Sequence, residues 1–204
     1  MSFFVRLGEI CVWVFKDMVY LVSCVIPGSR SIWVFGAWFG ARYSDNSRSL
    51  FEYVNENCPN IRAVWLTGNN DVLKLVRDKG YEVCFANSLK GIWLSLRAGI
   101  GVICTGNNDI NGFTTGRQRI INLEHGIPLK KIVYDDRISY KGHSNLKLFL
   151  LPFLRKKPRL VSATSLRVKN TVSGALRVPD SNVVITGYPR NDVFFAQKRE
   201  KTPL

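Results

Sequence analysis

From Ser31 onward the chain alternates short β-branched or aromatic runs with longer stretches whose apolar positions recur every three or four residues. The short runs at 32–35, 63–66, 82–85, 101–104, 119–123, 160–163 and 183–186 predict strands. Helices are predicted between and after them, at 47–57, 71–79, 88–97, 165–176 and 192–198. Strand and helix alternating at this spacing predict an α/β fold, a parallel sheet with helices on both faces. Ligands of such sheets sit beyond the carboxyl ends of the strands. The loops after the first, fifth and last predicted strands carry Asp45-Asn46, His125 and Arg190, so all three are expected on one edge.

Residues 1–28 read as a separate unit before a domain spanning 29–204. Their apolar runs are broken by Lys16-Asp17 and stopped by Pro27-Gly28. At 100° per residue, Ser2, Arg6, Glu9, Lys16, Asp17 and Ser23 share an arc of roughly 120°, leaving a wide apolar face. A membrane span wants about 20 apolar residues without central charge, and a cleavable signal wants a small-residue cleavage site. Neither pattern is present, which leaves an amphipathic helix packed on its own domain or lying in a membrane interface.

Composition narrows the partners. With 204 residues, 46% of them hydrophobic, the chain can bury one substantial core, which excludes disorder. The net charge of +14 is uneven: residues 1–116 carry 11 Lys/Arg against 9 Asp/Glu, and 117–204 carry 18 against 6. The second part is expected to face an anionic polymer or an anionic membrane surface. No RNP, helix-turn-helix or zinc-finger pattern accompanies the charge, so nucleic acid is not expected. Residues 147–159 interleave Leu and Phe with Lys and Arg and are kept short by Pro152 and Pro158, as a membrane-inserting segment or a core helix with a basic end would be. The five cysteines are scattered without Cys-x-x-Cys spacing and read as reduced core residues. Two isolated histidines offer no ligand set, so neither metal nor other cofactor is expected. Thr-Gly-Asn-Asn-Asp occurs at 67–71 and again at 105–109, where Gly and Asn serve as turn formers and Asp71 as a helix N-cap.

The chemistry concentrates at 124–136. His125 is followed by Gly126, Lys130, Lys131 and the Asp135-Asp136 pair, just after an apolar run. A histidine can accept a proton from an attacking hydroxyl, a glycine lets a ligand approach the backbone, and lysines can stabilise phosphate charge. His143, the other histidine, has loop-like neighbours.

The segment from His125 to Lys131, followed by Tyr134-Asp135-Asp136, resembles the His-Gly-x-Pro-x-Lys segment of the CDP-glycerol glycerophosphotransferase family, enzymes of teichoic acid and capsule polymer synthesis. Residues 43–48, with Leu50 and Tyr53, resemble that family's early Asp-Asn loop, and Gly187-Tyr188-Pro189-Arg190-Asn191-Asp192 its Gly-x-Pro-Arg-Asn-Asp segment. The family usually has an aromatic residue before the histidine, where this chain has Glu124. The resemblance implies a Rossmann-like domain like the N-terminal, acceptor-side half of a GT-B transferase, with no donor-binding second half in this chain and no activity alone. It also implies transfer of a polyol phosphate from a CDP-activated donor to a polymer hydroxyl, at the cytoplasmic face of the plasma membrane. His125 would be the general base, Lys130 and Lys131 would stabilise phosphate, Asp45 and Asn46 would orient acceptor hydroxyls, and Gly126, Arg190 and Asp192 would complete the binding surface. A noncatalytic, membrane-associated polyanion-binding domain of the same fold is the alternative.

Overall fold

The computed structural model describes residues 3–136, 138 and 145–195. His143 and the end of the helix predicted at 192–198 lie outside the described residues. Seven strands form one sheet in the order β3-β2-β1-β4-β5-β6-β7, every neighbouring pair parallel. They are β1 (Ser29–Phe35), β2 (Arg62–Thr67), β3 (Val83–Phe85), β4 (Ala98–Ile103), β5 (Arg119–Asn122), β6 (Leu160–Ala163) and β7 (Val183–Ile185). The helices are α1 (Phe3–Val25), α2 (Asp45–Asn57), α3 (Asn70–Asp78), α4 (Leu89–Arg97), α5 (Asn145–Leu150) and α6 (Leu166–Leu176). This is the doubly wound Rossmann-like α/β arrangement, whose strand order reverses between β1 and β4 and opens a crevice there.

Alternation along each strand divides the core. Phe35, Trp65 and Val102 point to one face and pack with Phe51 and Val54 of α2 and Val72 and Val76 of α3. Val34, Val64, Leu66 and Ile103 point to the other and pack with Leu94 of α4. A third cluster joins Val161, Ala163 and Val183 to Val168 and Val172 of α6. Strands buried on both faces have to be apolar at nearly every position, as β2 and β4 are.

Two local expectations are corrected. Asn69, not Asp71, caps α3, its side chain accepting from the amides of Asp71 and Val72, because the helix begins one residue earlier than the sequence pattern suggested. Of the five cysteines only Cys84 and Cys104 are buried; Cys11 and Cys24 stand exposed on α1. On α1 the polar residues Lys16, Asp17 and Ser23 turn toward the domain. Ser23 is buried and its hydroxyl accepts from the Gly116 amide, Trp13 stacks on Phe153, and Lys16 lies over the rings of Trp13 and Phe113. Burial raises the Asp17 carboxyl above its ordinary range. The apolar residues Val14, Phe15, Met18, Leu21, Val22 and Val25, spaced as one helical stripe, are left exposed. No helix among the described residues is long and apolar enough to cross a membrane. Beside α1, the 147–159 stretch forms the end of α5 and a short 3-10 turn at Pro152–Arg155, burying Phe153 while Phe149 and Leu150 remain outside.

Candidate functional site

The loop after β1 turns sharply because its backbone enters the left-handed region at Trp38, Phe39 and Gly40, and again at Asp45. Glu124, after β5, is left-handed too. Four of the six non-glycine residues with positive φ among the described residues thus flank one place, the concentration of backbone strain expected where a fold positions a site. Surrounding bonds hold them there. Asp109, itself buried, accepts from the amides of Cys104 (2.9 Å) and Thr105 (2.7 Å) through one oxygen and from the amide of Phe39 (2.7 Å) through the other. It thereby ties the loop after β4 to the loop after β1 across the crevice. Gly36 makes the close approach feasible, since a Cβ there would lie 1.9 Å from the Asp109 carbonyl oxygen.

The three segments singled out in the sequence meet on this edge. Arg190 donates through Nη1 to Asp45 Oδ1 (2.6 Å) and to the His125 carbonyl (3.0 Å). Asn46 donates through Nδ2 to the carbonyls of Leu123 (3.2 Å) and Glu124 (2.6 Å), while its Oδ1 accepts from the Arg190 amide (3.3 Å). The Tyr188 hydroxyl donates to the Gly126 carbonyl (3.0 Å), and burial followed by the nearby Glu124 carboxylate pushes that phenol up to about 12. Trp38 donates through Nε1 to Asp45 Oδ2 (3.2 Å) and sets its ring edge-on to His125, centroids 5.3 Å apart.

His125 is exposed, and its Nδ1 lies 3.1 Å from the Cys104 carbonyl oxygen. A carbonyl only accepts, so Nδ1 carries the proton and Nε2 keeps its lone pair in the neutral ring. That is the tautomer a general base requires. Burial and the Asp109 carboxylate push the Cys104 thiol up to about 11, which leaves it protonated and unsuited to be a nucleophile.

The other expected residues divide. Lys130, Lys131 and Asp192 are exposed beyond the cluster, and the space beside Gly126 where a side chain would stand is open. Asn46 is corrected: it is fully buried and its amide is spent on three backbone partners, so it braces the site and does not meet an acceptor hydroxyl. Asp45 is likewise engaged, by Arg190, Trp38 and its neighbour's amide. Trp38 and Asp109 were missed. Trp38 supplies the ring against the histidine that the sequence lacks at position 124, and only its place just after a strand could have pointed to it. A cavity of 790 Å³ is lined by Thr105, Asn107, Tyr134, Arg155, Lys156 and Lys157. Two of those basic groups are spent on carbonyls: Lys156 donates to Gly116 and Lys157 to Arg177. Among the described residues no cluster of His, Cys, Asp and Glu could hold a metal ion.

Glu124 is buried, its carboxylate accepting from Asn122 Nδ2 (2.6 Å). Burial raises its pKa above the ordinary carboxyl range, although the neighbouring His125 and the Asn122 bond pull it down. A raised acid binds more protons folded than unfolded, so stability falls as pH climbs through the ordinary range to the raised value, then levels. Glu124→Gln keeps the acceptor and removes the charge. It is expected to gain of order 1 kcal/mol at pH 7.5 and nothing at pH 4, read from urea midpoints. A gain that does not depend on pH would show that the charge is not the cause.

The sequence pattern described as CDP-glycerol:poly(glycerophosphate) glycerophosphotransferase matches residues 18–203. The chain is 24% identical over 189 residues to the teichoic acid poly(glycerol phosphate) polymerase of Bacillus subtilis (strain 168), covering 90% of this chain and 24% of that protein. To the teichoic acid glycerol-phosphate transferase of Staphylococcus aureus (strain NCTC 8325 / PS 47) it is 28% identical, covering 87% of this chain and 45% of the other. The chain therefore spans less than half the length of these relatives. Its fold matches a structure of the wall teichoic acid polymerase TagF with a TM-score of 0.68 at 21% identity, over 97% of this chain and 49% of that one. A TagF variant soaked with CDPG matches equally well, with a TM-score of 0.68 at 20% identity, over 98% of this chain and 53% of that one.

Proposed function

The chain belongs to the CDP-glycerol:poly(glycerophosphate) glycerophosphotransferase family, and on that premise we propose that its crevice edge is the acceptor side of a polyol-phosphate transfer. His125 Nε2 takes the proton of a terminal hydroxyl on an anionic polyol-phosphate acceptor. The hydroxyl oxygen bonds to the β-phosphorus of a CDP-activated donor such as CDP-glycerol, the bond from that phosphorus to the bridging oxygen breaks, and CMP leaves with that oxygen. The observation that carries this reading is the hydrogen bond from Nδ1 to the Cys104 carbonyl, which fixes the basic nitrogen outward. Arg190 keeps the His125 backbone in place while its own charge is balanced by Asp45. Lys130 and Lys131 supply mobile cations for phosphate, and Gly126 and Asp192 border the bound acceptor.

The same proposal sets the chain peripherally on the cytoplasmic face of the plasma membrane, through residues 1–28. The exposed stripe of α1 supports this, because an apolar helical face turned away from its own domain calls for an apolar surface.

The test is CMP release from CDP-glycerol with a glycerol-phosphate-primed acceptor. The chain by itself is expected to release CMP only at background, since a transferase must hold its donor in register with the acceptor. Fused to the C-terminal half of the Staphylococcus aureus relative, it should turn over, and His125→Ala should lower that rate by about two orders of magnitude. Equal rates for the fusion and its His125→Ala variant would remove His125 from the chemistry.

A further inference from the structure

The edge of the sheet opposite His125 carries a second set of convergent charges. A 280 Å³ recess opens there, with Arg30, Arg117 and Arg119 on its walls and Gly28 and Gly99 on its floor. Each arginine is placed by the backbone. The pairing of β1 with β4 slips between Ser29 and Trp33, and Arg30 sits in that irregularity, its carbonyl accepting from Trp33 Nε1 at 2.9 Å. Such bulges re-aim a side chain that a regular strand would point elsewhere. Arg119 opens β5 opposite Ile100 of β4, and Arg117 lies in the turn just before it. That turn is pinned to the end of α1: the Gly116 amide donates to Ser23 Oγ, and a Cβ at Gly116 would lie 2.6 Å from Cys24 Sγ. The floor is bare because a Cβ on Gly99 would lie 2.6 Å from the Ser29 carbonyl oxygen.

Among the described residues no carboxylate pairs with any of the three guanidinium groups. Like charges gathered in one small recess repel until an anion enters, and guanidinium forks match phosphate oxygens two at a time. The recess also has a location that selects its ligand. Pro27 and Gly28, on its wall and floor, directly follow the last turn of α1, whose exposed stripe ends at Val25. A helix lying in a bilayer interface by that stripe would bring the recess to headgroup depth.

We propose that Arg30, Arg117 and Arg119 form a binding site for the phosphate of an anionic lipid headgroup, at the C-terminal end of α1 and on the sheet edge away from His125. The proposal rests on the membrane-facing reading of α1 and adds a specific headgroup contact to it. The test is co-sedimentation of the full chain with phosphatidylcholine vesicles containing phosphatidylglycerol or none. Changing the three arginines together to Gln is expected to weaken association with the anionic vesicles roughly tenfold or more. A control triple, Lys74→Gln, Arg77→Gln and Arg167→Gln, removes the same charge from α3 and α6 and should weaken it by less than about threefold. Circular dichroism melts confirm that both triples fold, and a triple Arg→Lys variant, which keeps charge without the fork, should fall between wild type and the Gln triple. Equal losses in the two Gln triples would overturn the recess and leave the membrane reading standing. Failure of the wild type to bind anionic vesicles would overturn both. Inorganic phosphate is the second probe: if calorimetry shows that the wild type binds it through these arginines while vesicle binding ignores them, the site serves a soluble phosphate and the lipid assignment falls.

Discussion

Replacing Asp109 by Ala is expected to cost about 4–6 kcal/mol, a large share of the usual 5–15 kcal/mol total stability of a domain. The carboxylate is buried and receives the amides of Cys104, Thr105 and Phe39, with Gly106 more distantly at 3.4 Å. Alanine leaves those donors dry and unpaired, each at about 1–3 kcal/mol, and water cannot readily replace an acceptor shared between two loops. The Asp109→Asn variant keeps one acceptor oxygen and is expected to lose about half as much. Urea titration followed by circular dichroism reads both. A loss below about 1 kcal/mol for Asp109→Ala would mean that the two loops hold their shape without the clasp. Because the Cys104 carbonyl receives His125 Nδ1, the clasp also sets the histidine's tautomer from a distance.

Asn46→Ala is the second large effect, at about 3–5 kcal/mol. One buried amide joins the start of α2, the end of the β5 segment and the 3-10 turn at Pro189–Asn191. Its removal strands two carbonyls and one amide around a side chain that is fully buried. Asn46→Asp is expected to be no better, because it would set a carboxylate oxygen where Nδ2 now donates to two carbonyls. The distinguishing measurement is hydrogen exchange at the Arg190 amide, which should lose protection in Asn46→Ala before the sheet amides do. Unchanged protection there would show that the turn is held by Tyr188 and the Arg190 side chain alone.

Much of this was readable along the chain. Strand positions followed from β-branched runs, and parallel pairing from their spacing, because a buried parallel strand tolerates few polar residues. Once the sheet is parallel, Asp45, His125 and Arg190 must share an edge, and they meet there. What stayed hidden was pairing between loops. Nothing local to Asp109 says that its partner is the Phe39 amide, since that depends on how closely the loops after β1 and β4 approach at Gly36. Periodicity likewise gave α1 two faces without saying which one turns inward. Ser23, Trp13 and Lys16 decide that through contacts with Gly116, Phe153 and Phe113. A polar side chain packs inward when it finds a partner there, and partners are a property of the fold.

The margins of the sheet have a kinetic consequence. A sheet of seven parallel strands assembles only as each crossover closes, so it forms slowly and leaves strands waiting with unpaired backbone. Here both outer strands, β3 and β7, are only three residues long. Each therefore offers a passing chain a ladder too brief to seed stacking, even though Val184 and Ile185 of β7 are exposed. Brevity at the two borders limits edge-to-edge pairing of the assembled sheet.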